Sequence, residues 1–205
     1  SRDVYDSFEN ETLRYSEALS KNFYLDFREF RYNSIEKAWN LQKSITEEEV
    51  INNYVNKKLG NIGEIFLYNY LKNNPNNCPV IFTARDLGNG FGFDMYHRNT
   101  YDVIPAEYLT EVKTTANLSG NDYFSLSNNE FNKMIDCTNL DYSSYYIARG
   151  FYDSAQKQNP YYYILEYNKD NATLYLNQDK NNVLYEHADS DNGHKFVRYN
   201  SRVLT

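Results

Sequence analysis

Three short pieces of this chain carry residue types that can do chemistry together: Gly60-Asn-Ile-Gly-Glu64, Gly92-Phe-Asp94 and Glu111-Val-Lys113. Side chains on a strand alternate faces with period two, so Glu111 and Lys113 point one way while Val112 points into the core. A carboxylate and an ammonium then share one small patch. Asp94 stands in a second apolar-flanked run, Gly92-Phe-Asp-Met-Tyr-His97, and pairing of that run beside the first would bring a second carboxylate to the patch. Two oxygen ligands and a lysine suit Mg²⁺, a hard cation that takes one or two carboxylates and keeps several waters. The tripeptide by itself carries no weight. With fourteen Glu and twelve Lys in 205 residues, chance supplies roughly one Glu-x-Lys, and there is one.

Order and context give it meaning. A helix bearing Gly-Glu, an Asp after a Gly-rich loop, then Glu-x-Lys in a strand resembles the core of the PD-(D/E)xK nuclease superfamily. More narrowly, Gly60-x-x-Gly-Glu64, Gly92-Phe-Asp94, Glu111-Val-Lys-Thr-Thr115 and Phe124-Ser-Leu-Ser-Asn-Asn-Glu130 resemble the domain found at the C-terminus of the plant protein NO VEIN. Relatives of that domain occur in bacterial proteins linked to helicases and restriction-type defence. The resemblance covers about residues 56 to 167, and the superfamily's usual Pro before the Asp is replaced by Phe93. It implies an α/β fold of restriction-endonuclease type, a mixed central sheet flanked by helices. It also implies Mg²⁺, with Mn²⁺ as a substitute, held by Asp94 and Glu111, with Glu64 completing the site directly or through a water. Lys113 would position the attacking water or stabilise charge developing on the phosphate. The expected activity is Mg²⁺-dependent hydrolysis of DNA by the nuclease module of a larger restriction or defence protein. The rival reading is a non-catalytic nucleic-acid-sensing or protein-interaction module that keeps the fold. An enzyme on RNA or modified DNA is not separable from the first reading by sequence.

The net charge of −7 belongs to no single half of the chain, and no basic arm is visible. That argues against strong independent nucleic-acid binding, which phosphate neutralisation by Lys and Arg normally drives. DNA is therefore expected to bind this chain weakly, with other domains or subunits of a larger protein holding it; homodimerisation is left open. Cys78 and Cys137 show neither CxxC spacing nor a disulfide framework, which points to a reducing, cytoplasmic setting. His97, His187 and His194 read as surface or packing residues. No signal peptide or membrane-length apolar run is present. A start at Ser1 without Met points to a processed chain or a piece of a longer one. The 22 tyrosines fit strand propensity and an AT-rich genome better than an aromatic binding platform.

The elements that must position the site follow from periodicity and capping. Residues 5–20 and 33–43 carry apolar positions at helical spacing, and the aromatic stretch 23–32 between them fits helix or strand. Arg28 and Arg31 there suit a solvated face better than phosphate contacts. Residues 1–45 thus read as a helical extension in front of a nuclease-like domain, 46–205. Thr46 with Glu49 forms a capping-box signature, so a long helix starts near 47. It is apolar on two sides and should lie between the extension and a sheet. Gly60 and Gly63 inside it suit a close backbone approach beside Glu64. Residues 79–84 read as a buried strand, 86–92 as a glycine loop, 107–115 as the Glu-x-Lys strand and 123–126 as another. Ser127 with Glu130 opens a helix that ends near Asn139, and capping accounts for that pair without a catalytic role. Strands are expected over 142–151 and 161–167, with a hairpin into 172–176. Beyond that the chain is polar until 195–199.

Overall fold

The computed structural model describes residues 27–88, 90–103, 106–116, 122–152, 159–170, 173–177, 179–191 and 194–199. The helix expected over 5–20 lies outside them. The aromatic stretch is helical from Phe27, where α1 (Phe27–Asn40) begins. No residue of α1 is buried. Its Phe27 and Phe30 rings meet Tyr54 at centroid distances of 5.0 and 5.5 Å, and Arg31 pairs with Glu47 at 2.9 Å.

The long helix α2 (Glu47–Asn73) starts as the capping box dictates, with Glu49 N donating to Thr46 Oγ1 and Thr46 N donating to the Glu49 carboxylate. Its two apolar sides are both used. Tyr54 faces α1, whereas Leu67, Tyr68 and Leu71 pack with Val112 and Ala148 of the sheet. At Gly63 the helix lies so close to the sheet that an added Cβ would sit 1.8 Å from Thr114 Oγ1.

The architecture is mixed α/β, with a mostly antiparallel main sheet of six strands in the order β1-β2-β3-β5-β6-β7. These are β1 (Asn77–Phe82), β2 (Met95–Asn99), β3 (Glu107–Thr115), β5 (Ser143–Phe151), β6 (Tyr161–Asn168) and β7 (Thr173–Leu176). β3 and β5 form the parallel pair, with Glu107 opposite Ser143 and Thr115 opposite Phe151. Parallel neighbours need a crossover, and here it consists of β4 (Asp122–Ser127) and α4 (Asn128–Thr138). A one-turn helix, α3 (Thr83–Asp86), follows β1.

One strand expectation needs correction, and one strand was not foreseen. Residues 79–84 do not form a buried strand: β1 runs from Asn77 to Phe82 at the sheet edge, with only Phe82 buried, and Thr83 begins α3. The polar stretch after 176 carries a long strand, β8 (Asp179–Asp191), which pairs with β7 up to Glu186 and with β9 (His194–Tyr199) from His187 onward. Backbone pairing on both sides organises β8 without an apolar alternation to announce it. Through β9 the ladder reaches β4. Phe124 and Leu126 of β4 then pack with Leu109, Ile147, Leu165 and Leu174 of the main sheet, so this arm curls back over the face that α4 covers. Val112 and Ala148 face α2, while Leu109 and Ile147 face α4. Glu111 and Lys113 share the α4 side with Leu109 by strand parity.

Candidate active site

The site forms where two paired strands part. β2 and β3 are in register from Arg98↔Glu107 to Met95↔Thr110. One residue further, Asp94 N still donates to Thr110 O at 2.9 Å, but Asp94 O accepts from Thr83 N as the chain turns away. Val112 N is left facing the gap without a strand partner. Asp94 Oδ2 accepts its hydrogen bond at 2.8 Å. The sheet edge thus fixes the Asp94 carboxylate as firmly as a strand would fix a carbonyl.

The glycine loop makes this turn possible. Gly88, Gly90 and Gly92 all have positive φ, and at Gly92 a Cβ would also meet Lys133 Cβ at 2.9 Å and Asn129 O at 3.0 Å. The loop is held against the opposite wall: Asn129 Nδ2 donates to Gly90 O at 2.7 Å, and the buried Tyr145 hydroxyl donates to Gly92 O at 2.7 Å. Between loop and α4 lies a cavity of about 150 Å³, with Asp94, Glu111 and Glu130 in its lining. Wider grooves of about 570 Å³ lie between α1 and α2 and beside Tyr162. Neither gathers a comparable set of acids.

Lys113 sits among the carboxylates. Its Nζ is 3.2 Å from Glu111 Oε1 and 3.1 Å from both oxygens of Glu130. Burial works against its charge, but the attraction and hydrogen bonds of Glu111 and Glu130 outweigh it and hold the ammonium above its ordinary pKa. Glu111 is 6% exposed. Burial and the neighbouring Asp94 push its carboxyl well up, and Lys113 at 3.2 Å only partly offsets this. Asp94 is raised too, chiefly by burial, although the Val112 N–H, Lys113 and a hydrogen bond with Glu111 pull it down. Burial and mutual repulsion therefore make the Asp94–Glu111 pair hold protons more tightly than separate surface carboxylates would. Glu64 comes from α2 on the other side of the sheet. Burial and repulsion from Asp94 push it up to about 8, against relief from Lys57 and Lys113.

The structure therefore brings Asp94, Glu111 and Lys113 to one point, and Glu64 interacts with that point from α2. Among the described residues no three His, Cys, Asp or Glu side chains form a ready metal cage. The adjacent Asp94–Glu111 pair nevertheless supplies the one or two hard oxygen donors that Mg²⁺ accepts when waters complete its shell. Two buried carboxyls that repel each other are also what a divalent cation would relieve. Sequence reasoning assigned Glu130 to capping alone and passed over Tyr145. A capping box carries the signal for Glu130, since it turns the Glu side chain back toward the strand that precedes the helix. Nothing local marks Tyr145. His97, expected to be a surface or packing residue, stacks on Tyr108 at 4.9 Å. Among the described residues, no helix is long and apolar enough to cross a membrane.

A family model described as Protein NO VEIN, C-terminal, matches residues 47–164. That span runs from the first turn of α2 into β6 and contains Glu64, Asp94, Glu111, Lys113 and Glu130. No curated protein and no solved structure matches the chain.

Proposed function

The chain belongs to the NO VEIN C-terminal family, and from that membership and the acids gathered around Lys113 we propose a Mg²⁺-dependent endodeoxyribonuclease domain of restriction-endonuclease-like fold, the nuclease module of a larger restriction or defence protein. The observation that carries the reading is the parting of β2 and β3, which sets Asp94 against Val112 N–H and beside Glu111 and Lys113. Asp94 and Glu111 would hold Mg²⁺ or Mn²⁺, with Glu64 joining directly or through a water. When bound, the ion supplies Lewis-acid polarisation of a phosphoryl oxygen and neutralises negative charge on it. Lys113 supplies a second positive group, held at the cavity by carboxylates on two sides, that can orient a water or meet charge as it develops. Burial strengthens each of these interactions relative to bulk water.

A non-catalytic sensing or interaction module is favoured by a different observation: a net charge of −7 with no ready three-carboxylate cage among the described residues. Cleavage of plasmid and modified DNA, with Mg²⁺ or chelator, separates the two. On the nuclease reading, Lys113→Ala lowers kcat by roughly 10²–10³-fold while DNA binding stays nearly unchanged. Equal cleavage by both forms removes Lys113 from the mechanism, and no cleavage by either on any substrate favours the sensing module.

A further inference from the structure

Lysine has a flexible four-carbon stem and an ammonium without directional geometry of its own. The position of Lys113 Nζ is therefore set by what holds it, and two carboxylates do: Glu111 at 3.2 Å, and Glu130 at 3.1 Å through both oxygens. These two anchors differ. Glu111 is next to Asp94 on the cavity wall, and in the proposed reaction it turns its oxygens to a cation. Glu130 is fixed from behind, in the first turn of α4. Its amide donates to Ser127 Oγ at 3.1 Å, and its Oε2 receives Ser127 N at 3.4 Å. At 3.4 Å the second capping contact is weak, whereas both contacts to Lys113 are short. The Glu130 carboxylate faces the lysine more closely than the cap it completes.

We infer that Glu130 is the positioning residue for Lys113: it holds the ammonium at the cavity when Glu111 is committed elsewhere, and α4 is the arm that carries this hold. The inference rests on the nuclease reading for its purpose, but its geometry is testable without cleavage. Capping and positioning also separate, because glutamine at the third helical position can cap as glutamate does, while it lacks the charge that fixes Lys113.

The experiment compares the full chain with its Glu130→Gln, Glu130→Ala and Ser127→Ala variants. Reductive methylation read by mass spectrometry gives the reactivity of Lys113 Nζ, with the exposed Lys43 as internal reference. Melting curves report the cap, and plasmid cleavage in Mg²⁺ reports kcat and KM. Glu130→Gln should melt near the wild type, yet label Lys113 several-fold faster and lose at least tenfold in kcat at little-changed KM. Glu130→Ala should show the same changes and melt lower. Ser127→Ala should lower the melting temperature by a few degrees and leave Lys113 labelling and kcat near wild type. Unchanged Lys113 labelling in Glu130→Gln overturns the inference whatever the cleavage shows. Faster labelling with unchanged kcat overturns it as well, because the hold then serves no reaction. Faster labelling in a protein whose wild type cleaves nothing keeps the placement of Lys113 and refutes the nuclease reading instead.

Discussion

At the scale of single residues, the site is a place where burial and like charge store unfavourable energy, and Glu64 shows this most directly. Its carboxyl is pushed from an ordinary 4.5 up to about 8 by burial first and Asp94 second. Below pH 4.5 the group is protonated in both folded and unfolded chains and contributes nothing. Between about 4.5 and 8 the unfolded chain releases this proton while the folded one keeps it, so stability falls as pH rises, and the loss is complete above 8. Glu64→Gln removes the ionisation. It should therefore stabilise the metal-free protein at pH 8.5, by up to roughly 4 kcal/mol, and change little at pH 4. Melting in chelator across that range checks it; an equal gain at every pH would assign the effect to packing instead of buried charge. Asp94 and Glu111 are shifted in the same direction, each chiefly by burial. Mg²⁺ should accordingly raise the melting temperature of the wild type at pH 8, and Asp94→Asn should abolish that rise.

At the scale of elements, α2 must come close enough to β3 for Glu64 to reach the fork, and its two glycines do different things there. A Cβ on Gly63 would sit 1.8 Å from Thr114 Oγ1, whereas one on Gly60 would meet nothing within 4 Å. Gly63→Ala should cost about 1–3 kcal/mol and displace Glu64, while Gly60→Ala should stabilise by about 0.5–1 kcal/mol. Paired urea melts measure both, and equal outcomes would show that helix propensity outweighs the approach of α2 to β3. The glycine pair was legible as a close approach, but which member makes it was not, since that depends on the strand beneath. Helix starts were legible because a capping box is local: Thr46–Glu49 and Ser127–Glu130 both form as written. The β3 parity was legible for the same reason. The edge position of β1 and the long β8 were not, because they depend on which strand lies alongside and on pairing of a polar backbone. Asp94 was legible as a candidate site residue, yet its anchor, Val112 N–H, exists only because β2 leaves β3 one residue earlier.

At the scale of the whole molecule, the electrostatics oppose the proposed substrate. The chain carries −7 net charge, and a phosphodiester must approach a cavity lined by Asp94, Glu111 and Glu130. Cations elsewhere are partly committed: Arg31 is paired with Glu47 and Arg85 with Asp86, each within 3 Å. Lys57, which acts on Glu64, and Lys133, which lies over the Phe93 ring, stand beside the site, whereas Lys113 is held by Glu111 and Glu130. A footprint of about two cations releases few counterions, so log K against log salt should have a slope of about −2. Affinity should be weak at physiological salt, where screening acts beyond about 8 Å. Neutralising the cavity should also help binding, so Mg²⁺ should strengthen DNA association more than an equal ionic strength of Na⁺ does, and Asp94→Asn should remove that difference. Fluorescence anisotropy with short duplexes, at two salt concentrations and with either cation, measures all three quantities. Tight binding that ignores salt would place the DNA on a surface other than this cavity. Identical curves in Mg²⁺ and Na⁺ would leave the carboxylates without a cation to hold and would turn the reading toward an interaction module.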